Sequence, residues 1–305
     1  MPTTSNGTAY TVVTSTSTGY GTSVLIRPDS AVSATNVPTI LYAHGAGGAY
    51  NQFATLPAWQ GLRDWLLDNG CAIVEGGGGV TDTIGGQNWG NTGAREAYVA
   101  YLNWADGLID VGSVVPLGRS MGGLIAPWLY LQSSIASRCV GLIMNSGVCS
   151  MNYSVPPATA NIDKSTIGFF DGTDHKLAAA YGVDPSELVA ASASHDPMNF
   201  APSLWDGKKV LQLVGTADPT VPPHSRGAYP LRALYAGRPA VDLLDVRIGG
   251  THLQDNGSYL QVAPMTAFLA DLGFGAAVEV PDPVYYECED WLYMGGHLTK
   301  VEYQV

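Results

Sequence analysis

One stretch limits what this chain can become: Gly118-Arg119-Ser120-Met121-Gly122-Gly123. It follows the apolar run Val114-Val115-Pro116-Leu117 and precedes Leu124-Ile125-Ala126-Pro127-Trp128-Leu129-Tyr130-Leu131, which has helical spacing. A buried strand passing straight into a helix leaves room only for a very tight turn. Glycines two residues before and two after the serine let the backbone turn without a Cβ clash and hold the hydroxyl at the apex. The pattern G-x-S-x-G in this strand–turn–helix context predicts a nucleophile elbow. A five-residue pattern can equally be a glycine-rich turn with an incidental serine, so the rest of the chain has to decide.

The flanking sequence alternates strand and helix. Residues 8–27, rich in Thr, Val and Tyr, predict an antiparallel hairpin. Thr39–Ala43 is an apolar strand that breaks into His44-Gly45-Ala46-Gly47-Gly48, and a helix over about Leu56–Asn69 is stopped by Gly70. Cys71–Glu75 is a short buried strand, Thr81–Gly93 a loop, and Ala94–Ala105 a helix. Beyond the elbow come the strand Val140–Asn145, the strand Val210–Gly215, a helix near Arg226–Ala236, the strand Val241–Ile248 and an amphipathic helix over Tyr259–Leu272. Continuous apolar strands between helices predict an α/β fold: a predominantly parallel central sheet with helices on both faces. The alternation lapses over about 146–207, after the sixth strand, where only a short helix near Pro185–Ala193 is expected. An insertion there lies over the carboxyl edge of the sheet, where open α/β sheets bind ligands, and reads as a cap or lid. Residues 276–305 form a C-terminal β-hairpin extension, with arms Val284–Met294 and His297–Val305 around Gly295-Gly296. The expected division is a catalytic domain over 1–275 and the hairpin over 276–305.

Composition excludes several partners. Fourteen basic against 26 acidic residues give a net charge of −12, with no basic cluster to hold nucleic acid or an anionic membrane. No stretch has the length of a transmembrane helix, and the N-terminus lacks the charged and apolar regions of a classical signal peptide, so a soluble protein is expected. Cys71, Cys139, Cys149 and Cys288 have no C-x-x-C spacing, which argues against a thiolate metal site. A Cys139–Cys149 pair is neither required nor excluded.

A serine hydroxyl needs a base, and the base an orienting anion. The strand Val210–Val214 runs out into Gly215-Thr216-Ala217-Asp218, and Val241–Ile248 runs out into Gly249-Gly250-Thr251-His252. Asp218 and His252 therefore sit just past the edges of their strands. Asp242 and Asp245 are rival acids, but both lie within the last strand. The oxyanion of acyl transfer needs donors, and the N–H groups of Ala46 and Met121 are placed to serve, with His44 holding the loop. Asp174-His175 and His195-Asp196 suggest a metal pair, yet lack helical ligand spacing. His224 lies six residues past Asp218. Trp89, Trp104, Trp128, Tyr50 and Tyr153 are candidates for an apolar acyl pocket, although aromatic residues of such a chain mostly belong to its core.

The elbow Gly118–Gly122, the acid in Gly215-Thr216-Ala217-Asp218, His252 of Gly249-Gly250-Thr251-His252 and the His44-Gly45 motif occur in the order nucleophile, acid, histidine. Over roughly residues 8–275 the chain resembles the α/β-hydrolase-fold serine hydrolases, of the esterase and lipase kind. The resemblance implies hydrolysis of a small-molecule, lipid or polysaccharide ester through an acyl-enzyme, without metal or cofactor, or less often of an amide. Gly76–Gly93 and the hairpin have no counterpart in the minimal fold; they suggest roles in specificity, in attachment, or in a homo-oligomer or larger assembly. The Thr/Ser/Gly-rich, lysine-poor composition also resembles bacteriophage virion proteins, including tail-associated cell-envelope esterases. That leaves a cytoplasmic enzyme and a virion subunit as alternative settings.

Overall fold

The computed structural model describes residues 1–79, 88–150, 176–224, 226–247, 249–252, 262–275, 291–294 and 297–300. Its strands are β1 Tyr10–Ser15, β2 Ser23–Pro28, β3 Val37–Ala43, β4 Ala72–Gly76, β5 Val111–Arg119, β6 Leu142–Asn145, β7 Lys209–Gly215, β8 Val241–Arg247, β9 Trp291–Met294 and β10 His297–Lys300. The first eight form one sheet in the order β1-β2-β4-β3-β5-β6-β7-β8. β1 and β2 make the expected antiparallel hairpin, and β2 joins β4 antiparallel. From β4 to β8 every neighbour is parallel. The order puts β3 beside β5, so the loops leaving their carboxyl ends must meet.

Alternation along each strand sends side chains to two cores, one per face. Leu41, Val74, Val114, Leu142 and Val210 face one core, together with Tyr98, Tyr101 and Leu129. Ile40, Ile73, Val115, Ile143 and Leu211 face the other, with Phe53, Trp59, Leu62 and Phe268. Within the second core Tyr42, Phe53 and Trp59 make ring contacts at centroid distances of 4.6–5.2 Å. The expectation of strands buried throughout fails at the margins. Leu243 of β8, expected in a continuously buried strand, is exposed, because β8 lies at the edge of the sheet with a neighbouring strand on one side only.

The helices are α1 Gln52–Thr55, α2 Gln60–Asp68, α3 Thr92–Asp106, α4 Ala126–Leu131, α5 Lys176–Tyr181, α6 Leu188–Ser192, α7 Ala228–Leu234 and α8 Val262–Asp271. The helix expected from Leu56 starts instead as a 3-10 turn at Pro57–Trp59, and Gly70, at φ +77°, ends it as anticipated. α3 is capped by the Asn91 side chain, which accepts the N–H of Ala94 at 2.9 Å. Past the elbow the chain does not enter an α-helix directly. Ser120–Leu124 is a 3-10 turn, and α4 begins only at Ala126 with Pro127 in its first turn. Gly122-Gly123 is a poor helix start, and Pro127 supplies the fixed φ that opens the helix.

Within 146–207, α6 falls on the expected helical segment, while α5 is additional. β9 and β10 pair antiparallel from Trp291↔Lys300 to Met294↔His297, within the two expected arms, whose remaining residues lie outside the described ones. Tyr153, Asp174-His175, Ile248, Cys288, and parts of the 81–93 loop and the last expected helix lie outside the described residues. Cys71, Cys139 and Cys149 are buried free thiols, so Cys139 and Cys149 do not pair. Burial pushes the thiols of Cys71 and Cys139 up to about 12. Among the described residues no helix is long and apolar enough to cross a membrane.

Glu75, the penultimate residue of β4, lies inside the protein and accepts the N–H groups of Phe53 (2.7 Å) and Ala54 (2.8 Å) at the start of α1. Burial pushes its carboxyl from 4.5 up to about 8, against the pull of those donors and of Arg63. Between these values the folded chain keeps a proton that the unfolded chain has released. The stability this linkage supplies is complete below the unfolded value and is lost as pH rises through the folded one, at about 1.4 kcal/mol per pH unit within the window. Glu75→Gln removes the slope. In urea unfolding, the stability of the wild type relative to the variant is expected to fall by more than about 1 kcal/mol between pH 5 and 8. A constant difference contradicts the assignment.

Candidate active site

Four loops at the carboxyl edge build the site, one each after β3, β5, β7 and β8. The turn after β5 puts Ser120 at φ +50°, a conformation non-glycine residues hold only when their surroundings enforce it. The Ser120 carbonyl accepts the N–H of Val148 at 2.8 Å. A Cβ built on Gly118 lies 2.8 Å from the Gly122 carbonyl carbon, and one on Gly45 lies 3.1 Å from Ser120 Cβ. Glycines at 118 and 45 thus let the turn close on itself and the β3 loop close on the serine.

Ser120 Oγ lies 3.0 Å from His252 Nε2, and His252 Nδ1 lies 2.8 Å from Asp218 Oδ2. An ionised carboxylate only accepts, so Nδ1 carries the hydrogen and Nε2 turns its lone pair to the serine hydroxyl. Asp218 Oδ1 accepts the N–H groups of Thr220 and Val221, both at 2.8 Å. The Asp218 side chain is 1% exposed and that of His252 11%. The two loops are stitched together: Thr216 N–H donates to the Arg247 carbonyl, Ala217 N–H to the Gly250 carbonyl, and Gly249 N–H to Thr216 Oγ1. A Cβ on Gly215 would lie 2.6 Å from the Gly250 carbonyl carbon, so this close seam also demands glycine.

The loop after β3 turns on a Gly48 N–H bond to the Gly45 carbonyl at 3.0 Å. His44 Nδ1 donates to that same carbonyl at 2.7 Å, and burial lowers the pKa of its ring. His44 thereby bridges its own loop from the end of β3. Tyr98 of α3 reinforces it: the Tyr98 hydroxyl accepts the His44 N–H at 3.4 Å and donates to the Gly76 carbonyl at 3.5 Å. Ala46 lies on this loop, and the Met121 N–H opens the 3-10 turn, where first-turn donors lack intrahelical partners.

The rival residues are placed elsewhere. Asp242 takes Arg232 Nε at 2.9 Å and the Tyr235 hydroxyl at 3.1 Å. The ring of His224 stacks on Tyr229 at 4.6 Å. Asp196 caps the N–H of Met198, and His195 Nε2 lies 3.1 Å from Thr92 Oγ1; Asp174-His175, the other half of the metal pair that was weighed, lies outside the described residues. Of the aromatic candidates, Trp104 and Trp128 pack on one main core and Tyr50 on the other. Trp89 instead joins Met121, Leu124, Val148, Leu188 and Val221 in a separate apolar cluster, with Ala46, Ala180 and Tyr181 against it. Sequence reading missed Tyr98 and also Arg95, which donates to the carbonyls of Ser194 (3.2 Å) and His195 (2.9 Å) while lying over the Trp128 ring. Their i, i+3 spacing on α3 was the available signal, since it sends both to one helix face.

No family model matches the sequence, and no curated protein matches it as a relative. Solved structures do share its architecture. A puromycin hydrolase superposes with a TM-score of 0.62 at 16% identity, over 90% of this chain and 41% of its own. Brefeldin A esterase, described as a bacterial homologue of human hormone-sensitive lipase, gives 0.58 at 18%, over 87% and 76%. An esterase from Pyrococcus furiosus gives 0.55 at 14%, over 88% and 92%. The chain spans well under half of the puromycin hydrolase but most of the two esterases. These neighbours carry the α/β-hydrolase fold, and this chain has the same fold.

Proposed function

We propose that this α/β-hydrolase-fold chain is a serine hydrolase that cleaves a carboxylic ester through an acyl-enzyme. The observation that carries the reading is the unbroken line from Ser120 Oγ through His252 to the buried Asp218, with the serine held at φ +50°. Ser120 Oγ attacks the ester carbonyl while His252 Nε2 takes its proton, and the carbonyl electron pair moves onto oxygen as the tetrahedral oxyanion. The N–H groups of Ala46 and Met121 hold that oxyanion. His252 returns the proton to the departing alcohol as the bond to the carbonyl carbon breaks. Water, deprotonated by His252, then attacks the acyl-Ser120 bond, and Ser120 leaves with the proton. Asp218 keeps His252 in the required tautomer and stabilises its imidazolium.

The cluster around Trp89 touches each part of this machinery. Ala46 lies on the oxyanion loop, Met121 follows the nucleophile, Val148 bonds the Ser120 carbonyl, and Val221 bonds Asp218. An apolar acyl group placed on Ser120 meets these side chains, and an uncharged acyl group suits them. We read 146–207 as a cap over this pocket and 276–305 as an appended attachment hairpin. Amide hydrolysis by the same groups is the second reading, supported by the fold shared with a puromycin hydrolase.

The test is hydrolysis of p-nitrophenyl esters of graded acyl length beside the matching p-nitroanilides. Faster ester turnover supports the esterase; anilide turnover as fast or faster transfers the assignment to an amidase. Asp218→Asn is expected to lower kcat by about 10²–10⁴-fold with the fold retained, because an amide can present its N–H to Nδ1 and favour the wrong tautomer. An unchanged kcat removes Asp218 from the mechanism.

A further inference from the structure

Trp89 holds a left-handed backbone at φ +46° although it carries a large side chain. Such a residue stays there only where its surroundings hold it. Its backbone is held at both its N–H and its carbonyl. Its N–H donates to Met121 Sδ at 3.4 Å, and its carbonyl accepts the hydroxyl of Tyr181, from α5 of the insertion, at 3.1 Å. The following Gly90 packs so closely that a Cβ there would lie 2.8 Å from Leu124 Cβ. Beside this junction, Asn91 Nδ2 donates to the Ala180 carbonyl at 2.7 Å. The insertion therefore grips residues 89–91 at two adjacent points, and residue 89 in turn grips the side chain of the residue after the nucleophile.

We propose that Tyr181 is a positioning residue: by holding the Trp89 backbone against Met121 Sδ, it makes seating of the insertion set the Met121 N–H that receives the oxyanion. This rests on the serine-hydrolase reading above, since Met121 matters here only as an oxyanion donor. Tyr181 touches no reacting atom. Thioether sulfur is a weak acceptor, so of the bonds at the Trp89 N–H and carbonyl the one from the Tyr181 hydroxyl is the stronger hold on the left-handed backbone. Loss of that hydroxyl lets residue 89 relax away from the left-handed region and frees Met121. The effect falls on the transition state, because the substrate carbonyl demands less of the donor than the oxyanion does.

The experiment compares wild type, Tyr181→Phe, Met121→Leu and the double variant on p-nitrophenyl butyrate, with thermal midpoints measured alongside. In Tyr181→Phe the expected result is a fall in kcat of about 3–10-fold, the size of one lost hydrogen bond, with KM within about two-fold. Met121→Leu removes the sulfur acceptor, so the double variant is expected to lose less than the product of the single losses. A kcat unchanged in Tyr181→Phe overturns the proposal, as do multiplicative losses or a change confined to KM or the thermal midpoint. If Met121→Leu fails to fold, the division between kcat and KM in Tyr181→Phe decides alone. Wild-type protein inert toward every ester and anilide overturns the hydrolase reading itself, and the proposal with it.

Discussion

Ser120→Ala is expected to reduce ester turnover by at least about 10⁴-fold while leaving the protein as stable as wild type. The two halves of this expectation have separate causes. Turnover is lost because Oγ is the atom that bonds the acyl group, and His252 Nε2, 3.0 Å away, then has only water to activate. Stability is kept because the structure around the serine is backbone-built: the Ser120 carbonyl still accepts the Val148 N–H, and Gly45 still faces a Cβ. Alanine also inherits the left-handed strain of serine at φ +50°. Steady-state rates with thermal unfolding of both proteins check this. A variant retaining a tenth or more of the wild-type rate contradicts a covalent role for Ser120. A variant that unfolds far earlier contradicts the backbone origin of the elbow.

Gly122→Ala is expected to do the opposite, removing the fold along with the activity. A Cβ built there lies 2.6 Å from the Ala43 carbonyl carbon, and closer still to its oxygen. Those atoms belong to the end of β3, pinned in the sheet by β4 and β5, so they cannot give way as a flexible side chain can. Overpacking against rigid backbone typically destabilises by about 1–3 kcal/mol, and a clash this deep lies at or beyond the top of that range. Gly47 is the control. At φ +73° with open space around it, Gly47→Ala meets only backbone strain, about 1–2 kcal/mol. Urea unfolding of both variants tests the contrast, and a Gly122→Ala protein no less stable than Gly47→Ala would refute it.

Much of the site could be read from sequence because its constraints are local. Ser120, Asp218 and His252 each follow an apolar strand within a few residues, and the carboxyl edge of a parallel sheet brings such residues together without further information. The short 3-10 entry after Ser120 escaped because apolar spacing over Leu124–Leu131 cannot report how Gly122 and Gly123 pack against β3 and the chain around Val148. Trp89 could not be told from Trp104 or Trp128 by composition; only chain topology decides which tryptophan joins Met121 and which join the main core. Glu75 was legible as a strand end but not as a buried carboxylate, since its partners, the N–H groups of Phe53 and Ala54, come from a segment 21–22 residues earlier. Asp196, by contrast, has a local role: it caps the 3-10 turn at Pro197–Asn199 by accepting the N–H of Met198, two residues on.

The most direct test of the account is covalent labelling by a fluorophosphonate. Serine oxygen forms a bond to phosphorus, fluoride departs, and His252 takes the hydroxyl proton, so the reaction requires the arrangement described here but no particular substrate. Intact-mass measurement is expected to show one adduct per chain, mapping to the peptide that contains Ser120 and nearly absent from His252→Ala. No adduct, or one on any other residue, would contradict a nucleophilic Ser120.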